Sequence, residues 1–309
     1  MTERRSDGLV RVAVDAMATR FELVIVADGI GDGRARAIGQ EALDEIVRLE
    51  RRLSLFRPSS DIAGINAAAA ERPVKVEPVL FWLLQRCVEL SAACDGAFDV
   101  TIGPLARIWK GATAVPPDPA IADARRRSGF QHLILDAAAS TVGFARHGMT
   151  IDLGAAGKGY AIDRAIDVLQ SYGVAALLHG GTSSVHALGA PPGQTAWHVG
   201  WSGADTADAF RLRDGALSVS AVHGQMFSSG GRDYGHVIDP RTGWPVQTAP
   251  SAAVTGPASF ECDALSTALL VRGDGWLPTL RSRFAGYDGR VMPPDAPAPV
   301  SAPDSGSAR

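Results

Sequence analysis

Cysteine is scarce in this chain, with only Cys87, Cys94 and Cys262 among 309 residues. An odd count without CxxC spacing argues against a disulfide framework and against a thiolate zinc site, leaving buried free thiols as the plain expectation. Excess charge is missing too. The formal net charge is −3, and no basic stripe interleaves with aromatics. Nothing therefore points to nucleic acid or to an anionic membrane surface. No apolar run reaches transmembrane length. Near the N-terminus the apolar residues alternate with Arg11, Asp15, Arg20 and Glu22. That is a strand's pattern, not the continuous apolar core of a signal peptide, and it predicts a soluble, cytoplasmic chain.

What is present suits a sizeable core, because 46% of the residues are apolar. The length allows one large domain or two modest ones. No internal repeat or linker stands out, so residues 1–291 read as a single domain. The Pro/Ala/Ser-rich tail over 292–309 reads as disordered, since it can bury little. Val10–Val14 and Phe21–Val26 read as strands paired through a turn at Ala18 and Thr19. Helical spacing marks Arg34–Leu53 and Pro78–Ala93. Gly96–Trp109 is mixed, with a Gly-Pro break. Asp118–Ser128 reads as a short helix, and His132–Phe144 as two strands. Met149–Leu153 reads as a strand leading through a glycine-rich turn into a helix, Ala156–Tyr172, closed by Gly173. A strand follows at Ala175–Leu178. Helices are expected at Phe260–Val271 and Trp276–Phe284. The expectation is an α+β (mixed α/β) fold whose ligand platform is the central strand, glycine turn and helix.

Three segments could carry chemistry. In Ile151–Asp163 (IDLGAAGKGYAID) the glycines let backbone approach a ligand at a helix start, where free N–H groups and the helix dipole favour an anion. Lys158 adds a cation, so the segment suits a phosphate or pyrophosphate. It matches neither GxGxxG nor a Walker loop, and a tight turn with a solvated lysine is the bland alternative. In Gly235–Val246, Asp239-Pro240-Arg241-Thr242-Gly243 is a turn sequence. His236 precedes it, and can serve as a general base or as a structural donor. In Glu261–Val271, Asp263 and Thr267 stand four apart and share a helix face. Their oxygens suit Mg²⁺, or else Asp263 caps and Thr267 packs.

These segments and three others occur in one order in a known family. The chain resembles the ApbE family, the FAD:protein FMN transferases, from about Met17 to Gly273. The landmarks are Met17-Ala18-Thr19 (usually Met-Gly-Thr), Arg52–Asn66 (RLSLFRPSSDIAGIN) and Phe98–Trp109 (FDVTIGPLARIW). DLGAAGKGY is similar to the family's Asp-Leu-Gly-Gly-Ile-Ala-Lys-Gly-Tyr; HVIDPRTGWPV and CDALSTALL are similar to its last two signatures.

The resemblance implies an ApbE, T-fold-like architecture. It implies metal-dependent transfer of the FMN moiety of FAD to a Thr or Ser hydroxyl of an acceptor protein, with AMP released. Met17, Phe56, Ala97, Phe98, Asp99, Asp152, Lys158 and Ile238 would touch the flavin nucleotide. The Ala155 carbonyl, Asp263, Thr267 and backbone at Ser266 would hold Mg²⁺ or Mn²⁺. His236 and Arg241 fall at the family's positions beside the cofactor. His236 is the candidate base for the acceptor hydroxyl, with Asp239 in reserve. Two departures stand out: Gly180-Gly181-Thr182 where the family often has Gly-Gly-Asp, and Ser220-Ala221-Val222, followed by His223, where Thr-Ser-Gly is usual. They keep open an FAD-binding protein without transferase activity, or a metal-dependent FAD hydrolase giving FMN and AMP.

Overall fold

The computed structural model describes residues 8–200, 210–222, 226–247 and 249–292; the Pro/Ala-rich tail beyond Met292 and His223 lie outside these residues. In chain order the strands are β1 (Leu9–Ala16), β2 (Thr19–Val26), β3 (Val74–Lys75), β4 (Leu133–Asp136), β5 (Thr141–Phe144), β6 (Ala176–Gly180), β7 (Ser184–Leu188), β8 (Trp197–Val199), β9 (Phe210–Leu212), β10 (Gly215–Ala221), β11 (Phe227–Ser229), β12 (Arg232–Tyr234), β13 (Ser251–Gly256) and β14 (Asp288–Val291). The helices are α1 (Asp32–Leu53), α2 (Asp61–Ala68), α3 (Pro78–Ala93), α4 (Gly103–Trp109), α5 (Asp118–Arg126), α6 (Gly157–Ser171), α7 (Ser259–Arg272) and α8 (Leu277–Arg283).

Seven strands form one antiparallel sheet in the order β1-β2-β6-β7-β10-β13-β14. Side chains alternate across it, as the pleat requires. Phe21, Leu23 and Ile25 of β2 point to the face covered by α1, α6 and α7. Leu177, Val185, Ala187 and Leu217 point to the other face, under the β8–β9 hairpin. The mixed α+β expectation therefore holds, and so do most of the predicted elements. The three cysteines are free and buried, and burial pushes the Cys94 thiol up to about 12. No helix among the described residues is long and apolar enough to cross a membrane.

Three features differ from the sequence reading. Gly103-Pro104 does not break a helix but starts one, α4, with Pro104 in its first turn, where the missing N–H costs nothing. Met149–Leu153 is extended but pairs with no strand. The Asn66 amide stands in for a neighbouring strand: its Nδ2 donates to the Ile151 carbonyl at 3.0 Å and its Oδ1 accepts from the Ile151 N–H at 2.8 Å. The Asp152 N–H donates to the Val100 carbonyl at 2.7 Å. The platform is thus an extended segment held by a side chain, then the glycine turn and α6. Finally, β14 closes the edge of the main sheet with Asp288–Val291, a segment whose sequence carries no clear strand pattern.

Candidate active site

Lys158 and Gly159 sit in the first turn of α6, and Asp263 and Thr267 one turn apart in the middle of α7. The two helices pack side by side on the sheet. Their close approach depends on Gly159: a Cβ there would lie 2.3 Å from the Ser259 carbonyl oxygen. The contact brings the Gly159 N–H to Asp263 Oδ2 at 3.0 Å. In a regular helix that N–H would bond the Ala155 carbonyl; among the described residues that carbonyl accepts no hydrogen bond.

The Asp263 carboxylate is buried and well partnered. Oδ1 accepts from Ser218 Oγ at 2.7 Å and from Ser184 Oγ at 3.1 Å. Lys158 Nζ stands 3.8 Å from Oδ2. Ser184 and Ser218 are register partners on β7 and β10, so the two hydroxyls rise together from the sheet toward α7. One pleat further along, Ser220 Oγ lies 2.9 Å from Ser266 Oγ and 3.0 Å from Thr267 Oγ1. Ser184 and Ser218 went unnoticed in the sequence. The signal was there, in polar residues at period two on strands whose other face is apolar, but only register shows that they converge on one carboxylate.

Above this cluster opens a cavity of about 450 Å³. Ala97, Phe98, Asp99, Asp152, Ala155, Lys158, His236, Ile238, Asp263 and Thr267 all line it. So do Ala106 of α4 and Ile102 just before that helix, together with Thr182, Ser183 and Ser220. Asp152 Oδ1 accepts from the Gly154 N–H at 2.8 Å and fixes the glycine turn. Asp99 is saturated by structure: it accepts from the Thr101 N–H and hydroxyl, both at 2.7 Å, and from the Phe130 N–H at 2.8 Å. Burial raises its pKa against those bonds. His236 is exposed within the cavity lining. Partial desolvation first, and the Lys158 cation second, hold its pKa below the ordinary histidine value.

The other candidates stand outside this lining. Asp239 is engaged by Arg241 through Nε at 2.9 Å and Nη2 at 2.8 Å, an arrangement that closes the turn rather than presenting a free base. Arg241 instead borders an adjoining cavity of about 570 Å³, which shares Asp99 and Pro240 with the first. Met17 lies in the β1–β2 turn, its N–H donating to Glu50 Oε1 at 3.0 Å. Phe56 is 74% exposed, with Lys110 Nζ 4.3 Å from its ring centre. The Ser266 side chain is buried beneath the cavity. No group of three or more His, Cys, Asp or Glu residues that could hold a metal occurs among the described residues. The cavity-lining groups here that could ligate a cation are oxygens: the Ala155 carbonyl, the Asp263 carboxylate and the Thr267 hydroxyl.

Known proteins resemble this chain in sequence and fold. The FAD:protein FMN transferase of Treponema pallidum is 31% identical, over 84% of this chain and 79% of its own. The FAD:protein FMN transferase of Klebsiella pneumoniae is 32% identical, over 77% and 76%. Among solved structures, the ApbE protein of Thermotoga maritima superposes with a TM-score of 0.83 at 26% identity, covering 92% of this chain and 94% of that one. The flavinyl transferase ApbE of Pseudomonas stutzeri, in its apo form, gives a TM-score of 0.80 at 25% identity with the same coverage. The sequence pattern of the ApbE family matches residues 17–287, which include every residue that lines the cavity, and the chain belongs to that family.

Proposed function

We propose that this protein transfers the FMN moiety of FAD to a Thr or Ser hydroxyl of an acceptor protein, releasing AMP. The observation that carries this reading is the convergence of Lys158, His236, Asp263 and Thr267 from distant segments on one cavity at the start of α6. The names borne by the relatives point the same way.

Lys158, at the positive dipole end of α6, receives the pyrophosphate of FAD. The acceptor hydroxyl gives its proton to the neutral His236 imidazole as its oxygen bonds to the FMN-side phosphorus. The bond from that phosphorus to the AMP phosphate oxygen breaks, and AMP departs. His236 is the better placed base, since Asp239 is closed by Arg241. The enzyme mainly positions and neutralises, as in other phosphoryl transfers. The Ala155 carbonyl, Asp263 and Thr267, with backbone at Ser266, would hold Mg²⁺ or Mn²⁺. The fit rests on the free Ala155 carbonyl and on the spare lone pair of Asp263 Oδ2. A bound divalent cation supplies neutralisation of the pyrophosphate and of the leaving AMP.

The deciding experiment incubates the protein with FAD, Mg²⁺ and a flavinylatable acceptor domain, and follows AMP by chromatography. Metal-dependent AMP release, absent in Asp263→Ala and with chelator, supports phosphoryl transfer here. FMN bound to the acceptor then identifies a transferase. Free FMN identifies the hydrolase. FAD bound without AMP release points to a flavin-binding protein.

A further inference from the structure

Four cavity-lining residues, His236, Val237, Ile238 and Pro240, come from one segment that belongs to no strand of the main sheet. The segment is closed on itself. Asp239 N–H donates to the Trp244 carbonyl at 2.8 Å, Gly243 N–H to the Asp239 carbonyl at 2.8 Å, and Val246 N–H to the Val237 carbonyl at 2.8 Å. A unit closed in this way can shift as a body unless something anchors it. Another wall of the cavity is made by Ala106 of α4 and by Ile102, which caps that helix.

Trp109, the last residue of α4, joins the two walls. It is buried, and its indole Nε1–H donates to the Gly243 carbonyl at 2.9 Å. Its ring stacks on Tyr234 with centroids 5.8 Å apart and on Phe227 at 6.2 Å, and meets Trp244 at 5.5 Å. The stack thus holds both the β11–β12 hairpin, which leads into His236, and the far end of the turn. Gly243 suits this docking. Its φ of +82° is a glycine conformation, and a Cβ there would meet Arg125 Cγ and Cδ at 2.8 Å. A hydrogen bond also ties this turn to α5: Arg125 Nη2 donates to the Arg241 carbonyl at 2.6 Å, and Arg125 is exposed.

We infer that Trp109 is a positioning residue that sets the separation of His236 and Pro240 from α4, and so the fit of the cavity to its substrate. The inference rests on the transferase reading for its kinetic consequence, but its structural part stands without it.

Trp109→Phe tests it: the substitution removes the N–H donor and the pyrrole part of the indole while keeping an aromatic ring in the stack. Two readouts are needed. Backbone amide exchange should speed up within residues 237–246 while the main sheet is unchanged. The kcat/KM for FAD should fall between about tenfold and a hundredfold, chiefly through KM, as a displaced binding wall predicts. Arg125→Ala, which loosens the same turn from solvent, should move both readouts in the same direction by less, and serves if Trp109→Phe does not fold. Unchanged exchange in 237–246, uniform acceleration over the whole chain, or local acceleration with an unchanged KM each overturn the positioning role. A wild-type protein that releases no AMP with Mg²⁺ or Mn²⁺ sinks the transferase reading instead, and amide exchange alone then decides the role of Trp109.

Discussion

The Gly159 N–H donates to Asp263 Oδ2 at 3.0 Å across 104 positions of sequence. This bond needs α6 and α7 in near-contact, which only a missing side chain allows. An added Cβ would meet the Ser259 carbonyl oxygen at 2.3 Å and Phe260 Cα at 2.9 Å, both backbone atoms with little freedom to yield. Gly159→Ala should therefore push the helices apart, at a cost of about 1–3 kcal/mol, and remove AMP release. Thermal unfolding beside the chromatographic assay checks both. A variant with wild-type melting and activity would show that the approach is not needed.

Asp263 is predicted to matter for stability as well as for chemistry. Ser218→Ala removes one of the two hydroxyls on Oδ1. A buried bond to a charged acceptor is worth about 1.5–3 kcal/mol, so denaturant unfolding should show a loss of that order. Metal-dependent AMP release should persist at a reduced level, since the carboxylate stays. Asp263→Ala should abolish it. Persistent release in Asp263→Ala would remove this carboxylate from the proposed metal set.

The β1–β2 hairpin turns on Met17 and Ala18, with φ of +50° and +57°. Two-residue turns of this hand favour glycine or asparagine, and a left-handed conformation costs other residues about 1–2 kcal/mol. Ala18→Gly should raise stability by about 1 kcal/mol, because the relief of strain exceeds the added chain entropy. A lowered melting temperature would refute this account of the turn.

For pH, the sign follows from His236. The proposed base must be neutral, and its pKa is held low by desolvation and by Lys158. Activity should rise as pH climbs through that lowered value. In Lys158→Met the cation is gone, so the acid limb of the kcat/KM profile should move to higher pH, on top of a weaker overall rate. An acid limb that stays in place would mean that His236 is not the group being titrated, or that Lys158 does not act on it.

Phe56 offers a separation of binding from folding. Its ring is 74% exposed and contacts the Lys110 cation, an interaction worth about 0.5–1 kcal/mol at the surface. Phe56→Ala should leave stability nearly unchanged while weakening FAD binding, read by titration of flavin fluorescence. Equal FAD affinity in the variant and the wild type would exclude Phe56 from the flavin site.

Much of this molecule is written locally. The apolar spacing of Ile38, Ala42, Ile46 and Leu49 suffices to define α1, and the alternation in Phe21–Val26 suffices for β2, because burial of one face dictates period 3.6 or 2. The glycine turn before α6 likewise offers a helix start suited to an anion, whereas the Asp263–Thr267 spacing alone is equally that of a cap and a packed side chain.

The tertiary structure decided what spacing cannot encode. Met149–Leu153 looks like a strand, yet its partner is the amide of Asn66, a choice made 85 residues away. Ser184 and Ser218 become partners of Asp263 only through the register of β7 against β10. Asp239, a free carboxylate in the sequence, is closed by Arg241 once the turn forms. Sequence periodicity fixes which face of an element is apolar; which distant polar groups meet, and at what distance, depends on how sheets register and helices approach.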